Sequence, residues 1–599
     1  MKYLTKQMPS KWILAVATIL VVLGGPLWQG CVPVKTQHEH ALATVSPGTE
    51  TAIIRHEAHQ LIQGLLDEEL IPGVSIVLVD SQGPLWLEGF GLADRQRGIA
   101  AQPDTVYRVG SLSKSLTAMG VMQLSELEKI ALDEPLEDQL EGFAIRRHQM
   151  DKVVITPRQL LSHRSGLPSD LRKGMYTQTP FRRVTRLLHD EYLAFMPDTV
   201  YGYSNLGYDL LGHLVEQRSG RPFADYMQDQ LFEPLHMHHT GYALSPAMQE
   251  KLAAGHLDGQ VRQQAPLRDT PALGLYSTAQ DLGNLLVALL QGTAPGVSEN
   301  AIRQMWLPQM AEGQISLGFY PGLGWFIEDD PLLGRVVRHG GSTLLFGAEL
   351  ALLPEQGIGV AVLANGADSN RAARQLAATI LQLTLQVRGT GTMTQRIKPH
   401  EHQDESQLIP SGSYATDLGL LMVDPERPRL CACIIERMLD MVRFDDGSFG
   451  LTPESAASLP SSYRVLGELR FRSRHQGGKD VLLAERDGEE IVLGSRIDSQ
   501  PWDQVWRQRI GRYRTLNPDG DYSIQDLQIS SEEGVICLHY RAPHLTDSSI
   551  RVPLKPVSAT EAVIEGLGRG RGETVRFVEI NGKQCIRFSG YMGEPVGAE

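Results

Sequence analysis

The order of strand-like and helical segments is the feature that most constrains the fold of this 599-residue chain. Two strand-like runs, 73–80 and 84–89, follow one another closely and are joined by a short turn typical of a hairpin. Three more runs, at 335–338, 348–353 and 357–364, come after a long stretch whose pattern is mostly helical or loop-like. This order predicts one antiparallel sheet that both ends of the segment build together and that helices cover.

Two predicted helices flank these strands. Residues from about 51 to 70 carry apolar side chains at helical spacing on one face, namely Ile54, Ala58, Leu61, Ile62 and Leu65. A second helical pattern follows the last strand, from about 370 to 386. We therefore predict that residues 51–387 form one α+β domain, in which helices flank the antiparallel sheet.

The C-terminal third of the chain has a different pattern. Residues 388–410 are polar and rich in turn-forming residues, which is typical of a linker. Residues 411–599 alternate between short strand-like runs and Asp-Gly or Asn-Gly turns. This pattern predicts an all-β domain that is either one barrel or two similar halves.

Two short recurrences bear on this choice. Gly412-Ser-Tyr414 recurs as Gly511-Arg-Tyr513, and the segment 487–494 recurs loosely as 581–590. A duplicated β domain would explain both recurrences, and so would chance similarity between hairpins.

The first thirty-one residues are typical of an export signal. Lys2, Lys6 and Lys11 precede an apolar run at 12–23, which is well short of the roughly 20 residues that span a bilayer as a helix. Cys31 follows, so the segment resembles a bacterial lipoprotein signal, in which the cysteine is lipid-modified and anchors the protein to the membrane. An ordinary cleaved signal and an uncleaved anchor are the alternatives. Each predicts an exported protein, periplasmic or on the cell surface, with residues 32–50 as a polar tether.

Composition narrows the function classes. Lys and Arg number 56 against 70 Asp and Glu, so the net charge of −14 disfavours nucleic-acid binding. Five cysteines are too few for a disulfide scaffold. The histidine clusters at 236–239 and 400–402 lack further ligands at metal-binding spacing, so we predict neither a metal site nor a cofactor.

The most informative segment for chemistry contains Ser111 and Lys114. Residues three apart are neighbours on one face of a helix, and the pattern around them can be helical. A serine at a helix start lies near free backbone N–H groups, which favour a developing oxyanion. A nearby lysine lowers the cost of ionising the hydroxyl. Taken alone, the Ser-x-x-Lys spacing is equally consistent with a capped helix start.

Two further sequence elements make the prediction of an active site more specific. Tyr203 and Asn205 are two residues apart, so in an extended loop the phenol and the amide project to the same side. The run 338–343 reads Arg-His-Gly-Gly-Ser-Thr and closes a strand-like segment. Its glycines would let a substrate backbone approach closely and pair with the edge of a strand.

These three elements, in this order, resemble the serine β-lactamase and penicillin-binding protein superfamily, and most closely its class C-like branch with esterase, carboxypeptidase and D-aminopeptidase relatives. Supporting stretches at 155–168, 232–237, 274–281 and 322–325 are also similar to that branch. The resemblance covers about residues 52 to 385 and implies the β-lactamase/transpeptidase-like fold.

The resemblance also implies a role for each residue in the reaction. Ser111 would be the acylated nucleophile, Lys114 would activate it, and Tyr203 would shuttle protons. Asn205 would orient the substrate. The family's substrate-binding strand corresponds here to His339, Gly340 and Gly341, and its oxyanion hole corresponds to the backbone N–H groups of Ser111 and Ser342.

One position differs from many β-lactamases, which carry Lys where His339 stands. With an ordinary pKa near 6.5, a histidine is about a quarter protonated at pH 7 and attracts a substrate carboxylate less than lysine does. Arg338 is adjacent but should face the other side of the strand. We therefore rank peptides and esters above β-lactams as substrates.

The function predicted from the sequence is an exported serine hydrolase that cleaves amide or ester bonds through an acyl-enzyme. A D-amino-acid peptidase, carboxypeptidase or esterase is the preferred activity, with a small-molecule or peptide substrate that could derive from the cell wall. The alternatives are a β-lactamase and, in a different class, a non-catalytic penicillin-type sensor or binding protein. The C-terminal domain could restrict access to the site or bind cell-wall material, and the sequence does not predict an oligomeric state.

Overall fold

The structure, a computed structural model, describes residues 47–147, 153–257, 259–310, 319–367, 369–389 and, with short gaps, 410–596. The chain divides into two compact units, one of Gly25–Asp170 and Gly174–Gln403, the other of Asp404–Glu599 with Leu171–Lys173 and an N-terminal segment outside the described residues. The predicted export signal, including Cys31, also lies outside the described residues. Over the residues that were placed, no helix is both long and apolar enough to cross a membrane.

The first unit contains one eight-stranded antiparallel sheet. Its strands in chain order are β1 (Gly73–Asp80), β2 (Gly83–Asp94), β3 (Ile99–Ala100), β4 (Tyr320–Pro321), β5 (Phe326–Asp330), β6 (Gly334–Ser342), β7 (Phe346–Leu353) and β8 (Ile358–Asn365). Their order across the sheet is β3-β2-β1-β8-β7-β6-β5-β4. Strands from both ends of the segment therefore meet at the β1–β8 pair, in which Gly73 is opposite Asn365.

Helices cover both faces of this sheet. On one face, α1 (Pro47–Asp67) and a long C-terminal helix (Ser369–Val387) share an apolar core with β1, β7 and β8. On the other face, the helix Ala279–Gln291 contacts β1 and β8. Every residue of β7 and β8 is buried, because both of their faces are covered.

Two helices that carry candidate site residues lie between β3 and β4 in the chain. They are α2 (Ser113–Glu126) and α3 (Asn205–Ser219), which contact each other. We number Ala279–Gln291 α4 and Ser369–Val387 α5. The shorter α-helices of this region are Leu136–Gln139, Pro157–Leu161, Val184–Leu187, Phe223–Met227, Pro246–Glu250, Thr270–Leu273 and Glu299–Met305.

The predicted fold class is confirmed, with differences at the boundaries. The first helix begins at Pro47, so it takes in the end of the predicted tether. The strand predicted at 335–338 extends to Ser342, and β3, β4 and β5 were not predicted. The two-residue strands β3 and β4 are too short to give an alternating pattern, and β5 is largely acidic.

The second unit contains two closed eight-stranded barrels. The first consists of Gly412–Thr416, Gly419–Val423, Arg429–Ala432, Arg437–Arg443, Phe449–Leu451, Arg470–Gln476, Lys479–Arg486 and Glu489–Ile497. The second consists of Gly511–Thr515, Gln525–Glu532, Val535–Arg541, Ser549–Pro556, Glu561–Ile564, Thr574–Ile580, Lys583–Phe588 and Tyr591–Pro595. Each barrel has its own buried apolar core.

One of the two sequence recurrences corresponds to equivalent structure. Tyr414 and Tyr513 each lie on the first strand of a barrel, and each hydroxyl donates to the carbonyl four residues earlier, at 2.9 and 2.7 Å. The other recurrence does not, because Lys479–Arg486 and Glu489–Ile497 are the last two strands of their barrel, whereas Thr574–Ile580 and Lys583–Phe588 are the sixth and seventh of theirs. That second similarity is therefore one between unrelated hairpins.

Candidate active site

Ser111 lies in a single helical turn, Gly110–Leu112, that leads directly into α2. Ser113 stabilises this turn, because its Oγ donates to the Gly110 carbonyl at 2.6 Å and accepts from the Leu275 amide at 3.0 Å. Ser111 itself is partly exposed to solvent. The sequence therefore places a reachable hydroxyl at the N-terminal end of a 14-residue helix, where the positive end of the helix dipole favours negative charge.

Lys114 is fully buried beneath this hydroxyl. Its Nζ donates to Ser111 Oγ at 3.3 Å, to Asn205 Oδ1 at 2.7 Å and to the Ala272 carbonyl at 2.9 Å. These bonds satisfy the three donors of an ammonium group and fix the direction of a flexible side chain. The lysine is therefore aimed at the serine.

Tyr203 approaches Ser111 from the loop that precedes α3. Its hydroxyl lies 2.8 Å from Ser111 Oγ, and Lys114 Nζ lies 4.8 Å from the centre of its ring. The phenol and the amine are thus both within hydrogen-bonding range of the same oxygen. This arrangement permits a proton to pass between the serine and either partner.

Asn205 begins α3 and is almost completely buried, with 1% of its surface exposed. Its Oδ1 accepts from Lys114, and its Nδ2 donates to Asp170 Oδ1 at 2.6 Å. The sequence interpretation gave this amide a role in orienting substrate. In the structure it links a buried carboxylate to the lysine, so it orients Lys114.

His163 and Asp170 were not singled out in the sequence. His163 Nδ1 accepts the Ser204 amide at 3.1 Å, and its ring centre lies 4.2 Å from that of Tyr203. Burial, with the nearby charge of Lys114, lowers the pKa of His163 well below its ordinary value. The imidazole is therefore neutral and supports the tyrosine. His163 lies within the 155–168 stretch and Asp170 lies two residues after it. Their residue types could not reveal these contacts, because polar residues in such a stretch are equally typical of a solvent-exposed loop.

The C-terminal end of β6 packs directly on the turn that holds Ser111. A Cβ added to Gly341 would lie 1.9 Å from the Val109 carbonyl oxygen, and one added to Gly110 would lie 2.7 Å from the Ser342 carbonyl oxygen. The sequence interpretation assigned Gly340 and Gly341 to substrate approach. The structure shows that Gly341 is needed for the close contact between β6 and the Ser111 turn.

Among the described strands, none pairs with the edge of β6 beyond Arg338 on the side of β5. Pairing with β5 covers Gly334–Arg338, whereas pairing with β7 runs from Val337 to Ser342. Gly340 and Ser342 are not buried. Pairing of this segment with an extended ligand, which the sequence predicts, stays a prediction.

His339 lies on the face of β6 that is turned towards Lys114 and His163, and only 2% of its surface is exposed. Burial, together with the charge of Lys114, lowers its pKa to about 3. The expectation that it is about a quarter protonated at pH 7 is therefore wrong, because the charged form would be desolvated next to a cation. The site contains a neutral imidazole at this position.

Arg338 faces the opposite side of the sheet, as predicted from strand alternation. Its Nε donates to Glu328 Oε1 at 2.6 Å, and its Nη1 donates to Glu349 Oε1 at 3.1 Å. Arg374 on α5 adds a contact of 3.3 Å to Glu328. The Arg338 guanidinium is therefore bound between two buried carboxylates, away from the serine.

A second group of buried charges lies behind Asn205. Arg268 Nε donates to Asp269 Oδ1 at 2.5 Å, and neither side chain is exposed. Asp209, one turn after Asn205 on α3, is also buried, and burial followed by the charge of Asp269 raises its pKa well above the ordinary value. Burial therefore favours the neutral form of the Asp209 carboxyl.

In the part of the chain that the structure describes, no group of three or more His, Cys, Asp or Glu side chains could hold a metal ion. His238 of the first cluster lies 3.5 Å from Glu233 on the protein surface. The second cluster, 400–402, falls outside the described residues.

Comparison with known proteins adds an independent line of evidence. A family model described as Beta-lactamase matches residues 58–385. Protein flp of Staphylococcus aureus strain COL is 26% identical over 325 residues, which are 52% of this chain and 64% of that protein. The chain thus spans just under two thirds of the length of this relative.

Two solved structures have a similar fold. The octameric penicillin-binding protein homologue from Pyrococcus abyssi is 20% identical with a TM-score of 0.50, and the match covers 90% of this chain and 99% of that one. EstCE1, a hydrolase with promiscuous acyltransferase activity, is 20% identical with a TM-score of 0.50 over 56% of this chain and 99% of its own. The first similarity extends beyond the residues that the family model matches.

Proposed function

The chain belongs to the Beta-lactamase family, and we propose that it is a serine hydrolase that cleaves ester or amide bonds through an acyl-enzyme on Ser111. The observation that carries this proposal is the convergence of two side chains on one oxygen. Lys114 Nζ and Tyr203 OH lie 3.3 and 2.8 Å from Ser111 Oγ, which is partly exposed. A serine activated by an adjacent base is the arrangement that nucleophilic catalysis requires.

In the proposed reaction, the Lys114–Tyr203 pair starts with one proton fewer than its fully protonated form. Ser111 Oγ bonds to the substrate carbonyl carbon while its proton passes to this pair. The pair then returns the proton to the leaving alcohol or amine as the bond to carbon breaks. Water hydrolyses the acyl-enzyme by the same route in reverse, releasing the acid and restoring the serine.

The negative charge on the carbonyl oxygen needs donors during both half-reactions. We assign this role to the backbone N–H groups of Ser111 and Ser342, because Gly110 and Gly341 bring these two backbone segments into contact. Amides fixed in a folded backbone require no reorganisation when charge develops, so they stabilise the transition state effectively.

The preferred substrates are esters or peptides, including D-amino-acid peptides, rather than β-lactams. The neutral His339 supports this preference, because it offers no positive charge to a substrate carboxylate. A fold shared with a hydrolase that has promiscuous acyltransferase activity is consistent with ester chemistry. A non-catalytic sensor is the alternative from another class, and it would form an acyl adduct without releasing it.

Intact-protein mass spectrometry tests this proposal and separates the alternatives. The full chain is exposed to a fluorophosphonate, to aryl esters, to D-Ala-D-Ala peptides and to penicillins, and any adduct is located by peptide mapping. We expect a stable fluorophosphonate adduct on Ser111 and a transient adduct from esters or peptides that disappears as product accumulates. An adduct that never leaves would indicate a sensor, and modification at another residue would refute the assignment.

We also propose export and membrane tethering through Cys31, which rests on the charged leader and apolar run of residues 1–31 alone. Expressed in a bacterium, the full chain should incorporate labelled palmitate and fractionate with membranes. A Cys31→Ser variant should lose the label. Retention of the label by this variant would contradict lipidation at that position.

A further inference from the structure

Asp170 is a buried carboxylate at the end of a hydrogen-bonded chain that reaches Lys114. Only 2% of Asp170 and 1% of Asn205 is exposed. Asp170 Oδ1 accepts from Asn205 Nδ2 at 2.6 Å, and Asn205 Oδ1 accepts from Lys114 Nζ at 2.7 Å. The two ends of an amide have similar size but opposite hydrogen-bonding character, so the orientation of Asn205 decides which group faces Lys114.

The surroundings of Asp170 favour its ionised form, which can only accept hydrogen bonds. Burial alone would lower the pKa of the nearby Arg268 guanidinium, but the charges of neighbouring carboxylates, first that of Asp269 and also that of Asp170, raise it. Charge interactions are mutual, so the guanidinium also stabilises the negative charge on Asp170. A carboxylate has no proton to donate, and it therefore accepts only the NH2 end of the Asn205 amide.

Two of the atoms bonded to Lys114 Nζ are fixed acceptors. They are Asn205 Oδ1 at 2.7 Å and the Ala272 carbonyl oxygen at 2.9 Å, whereas Ser111 Oγ, at 3.3 Å, can also donate. A neutral amine has two N–H donors and one lone pair. When Lys114 is the member of the Lys114–Tyr203 pair that lacks a proton, its two donors face the two acceptors. Its lone pair is then directed at Ser111 Oγ.

We infer that Asp170 is a positioning residue of the hydrolase, which acts through Asn205 to keep the lone pair of Lys114 directed at Ser111. This inference rests on the proposed function. If the amide were reversed, Asn205 Nδ2 would donate to the lone pair of the neutral amine. That lone pair could then no longer receive the Ser111 proton as Oγ bonds to the substrate carbonyl carbon. The carboxylate of Asp170 excludes this reversed state.

The backbone around Asp170 is held independently of its side chain. The Ser169 carbonyl accepts from the Asn205 amide at 3.0 Å, and the Pro168 carbonyl accepts from Ser204 Oγ at 2.7 Å. A substitution at position 170 should therefore release the side-chain amide of Asn205 without moving the start of α3.

Two substitutions at position 170 test the inference on the full chain. The substrate is p-nitrophenyl butyrate, and kcat is expressed per site that a fluorophosphonate labels, so that unfolded protein is not counted. Asp170→Leu removes the acceptor and should lower kcat about 100-fold while KM stays within about threefold, because proton transfer rather than binding is impaired. Asp170→Asn keeps an oxygen that can accept from Asn205 and should lower kcat by no more than about fivefold. Equal losses of kcat in the two variants would overturn the inference.

A double-mutant cycle separates action through Asn205 from a general structural effect. In the Asn205→Ala background, Asp170→Leu should lower kcat by no more than about threefold further, because the amide that Asp170 orients is absent. A further loss of about 100-fold in that background would show that Asp170 acts independently of Asn205 and would overturn the inference.

Asp281→Leu is the matched control, because it removes another buried carboxylate of the same unit. Asp281 is 3% exposed and accepts from Thr240 Oγ1 and from the His239 amide, both at 2.8 Å. Its loss should lower stability but leave kcat per labelled site within about threefold of the wild type. A loss of kcat equal to that of Asp170→Leu would indicate a structural effect and overturn the inference. Failure of every ester to acylate the wild type would refute the proposed function, whereas turnover that Asp170→Leu leaves unchanged would refute only this inference.

Discussion

Ser111→Ala should abolish acyl-adduct formation and lower kcat/KM on the best ester by at least about 10⁴-fold. The reason is that Ser111 Oγ is the atom on which Lys114 and Tyr203 converge, at 3.3 and 2.8 Å. Without it, these groups have no nucleophile to activate, and only the residual effects of binding and oxyanion stabilisation persist. The measurement is steady-state kinetics combined with fluorophosphonate labelling.

Ser115→Ala provides the matched control for this variant. Ser115 is buried on the same helix and donates to the Gly324 carbonyl at 2.7 Å, so its loss removes one hydrogen bond without touching the nucleophile. We expect a stability loss of about 1 kcal/mol and a labelling rate within about threefold of the wild type. Equal loss of labelling in both variants would indicate that the effect is structural and would contradict the role of Ser111.

Arg338→Met should destabilise the hydrolase unit by about 3–5 kcal/mol, because it leaves buried carboxylates without their counter-charge. Arg338 is 7% exposed and bonds both Glu328 and Glu349, which are each 3% exposed. Arg374 still contacts Glu328 at 3.3 Å, so the carboxylate left without a counter-charge should be mainly that of Glu349. The free energy is measured from the urea transition that coincides with loss of activity.

Arg335→Met is the control, on the same strand and with the same replacement. Arg335 pairs with Asp329 at 3.2 Å, but both side chains are about half exposed, so the loss should stay below about 1 kcal/mol. The pH dependence gives a second check. Burial already raises the pKa of Glu349, and removing Arg338 should raise it further. A group whose folded pKa is raised stabilises the fold as pH falls, so the penalty should shrink towards acidic pH. A pH-independent penalty would contradict this explanation.

Much of the fold could be predicted because it depends on short-range patterns. The apolar positions Ile54, Ala58, Ile62 and Leu65 lie at helical spacing, and all four are buried against the sheet. The strands β7 and β8 were predicted from continuous apolar runs, which burial on both faces explains. The strands β3 and β4 were missed because two residues cannot display a period.

The candidate site was also predictable from the sequence only in part. Ser111, Lys114, Tyr203, Asn205 and His339 were selected from the type and order of residues along the chain, and the structure brings them together. What the sequence could not indicate was how each group would be used. Asn205 holds Lys114 through a bond to Asp170, and Gly341 serves a backbone contact.

The residue types, their order and the periodicity of their neighbours predicted the α+β architecture, and together with the family resemblance they selected Ser111, Lys114, Tyr203, Asn205 and His339, since these are properties of the chain itself. Only the tertiary structure decided the charge state of His339, the partners of Arg338 and the contacts between the rings of Tyr201, Phe319 and Phe326. The physical reason is that desolvation and ion pairing depend on which atoms surround a group in space. Those atoms come from other strands and helices of the chain, such as Phe326 and Lys114 around His339.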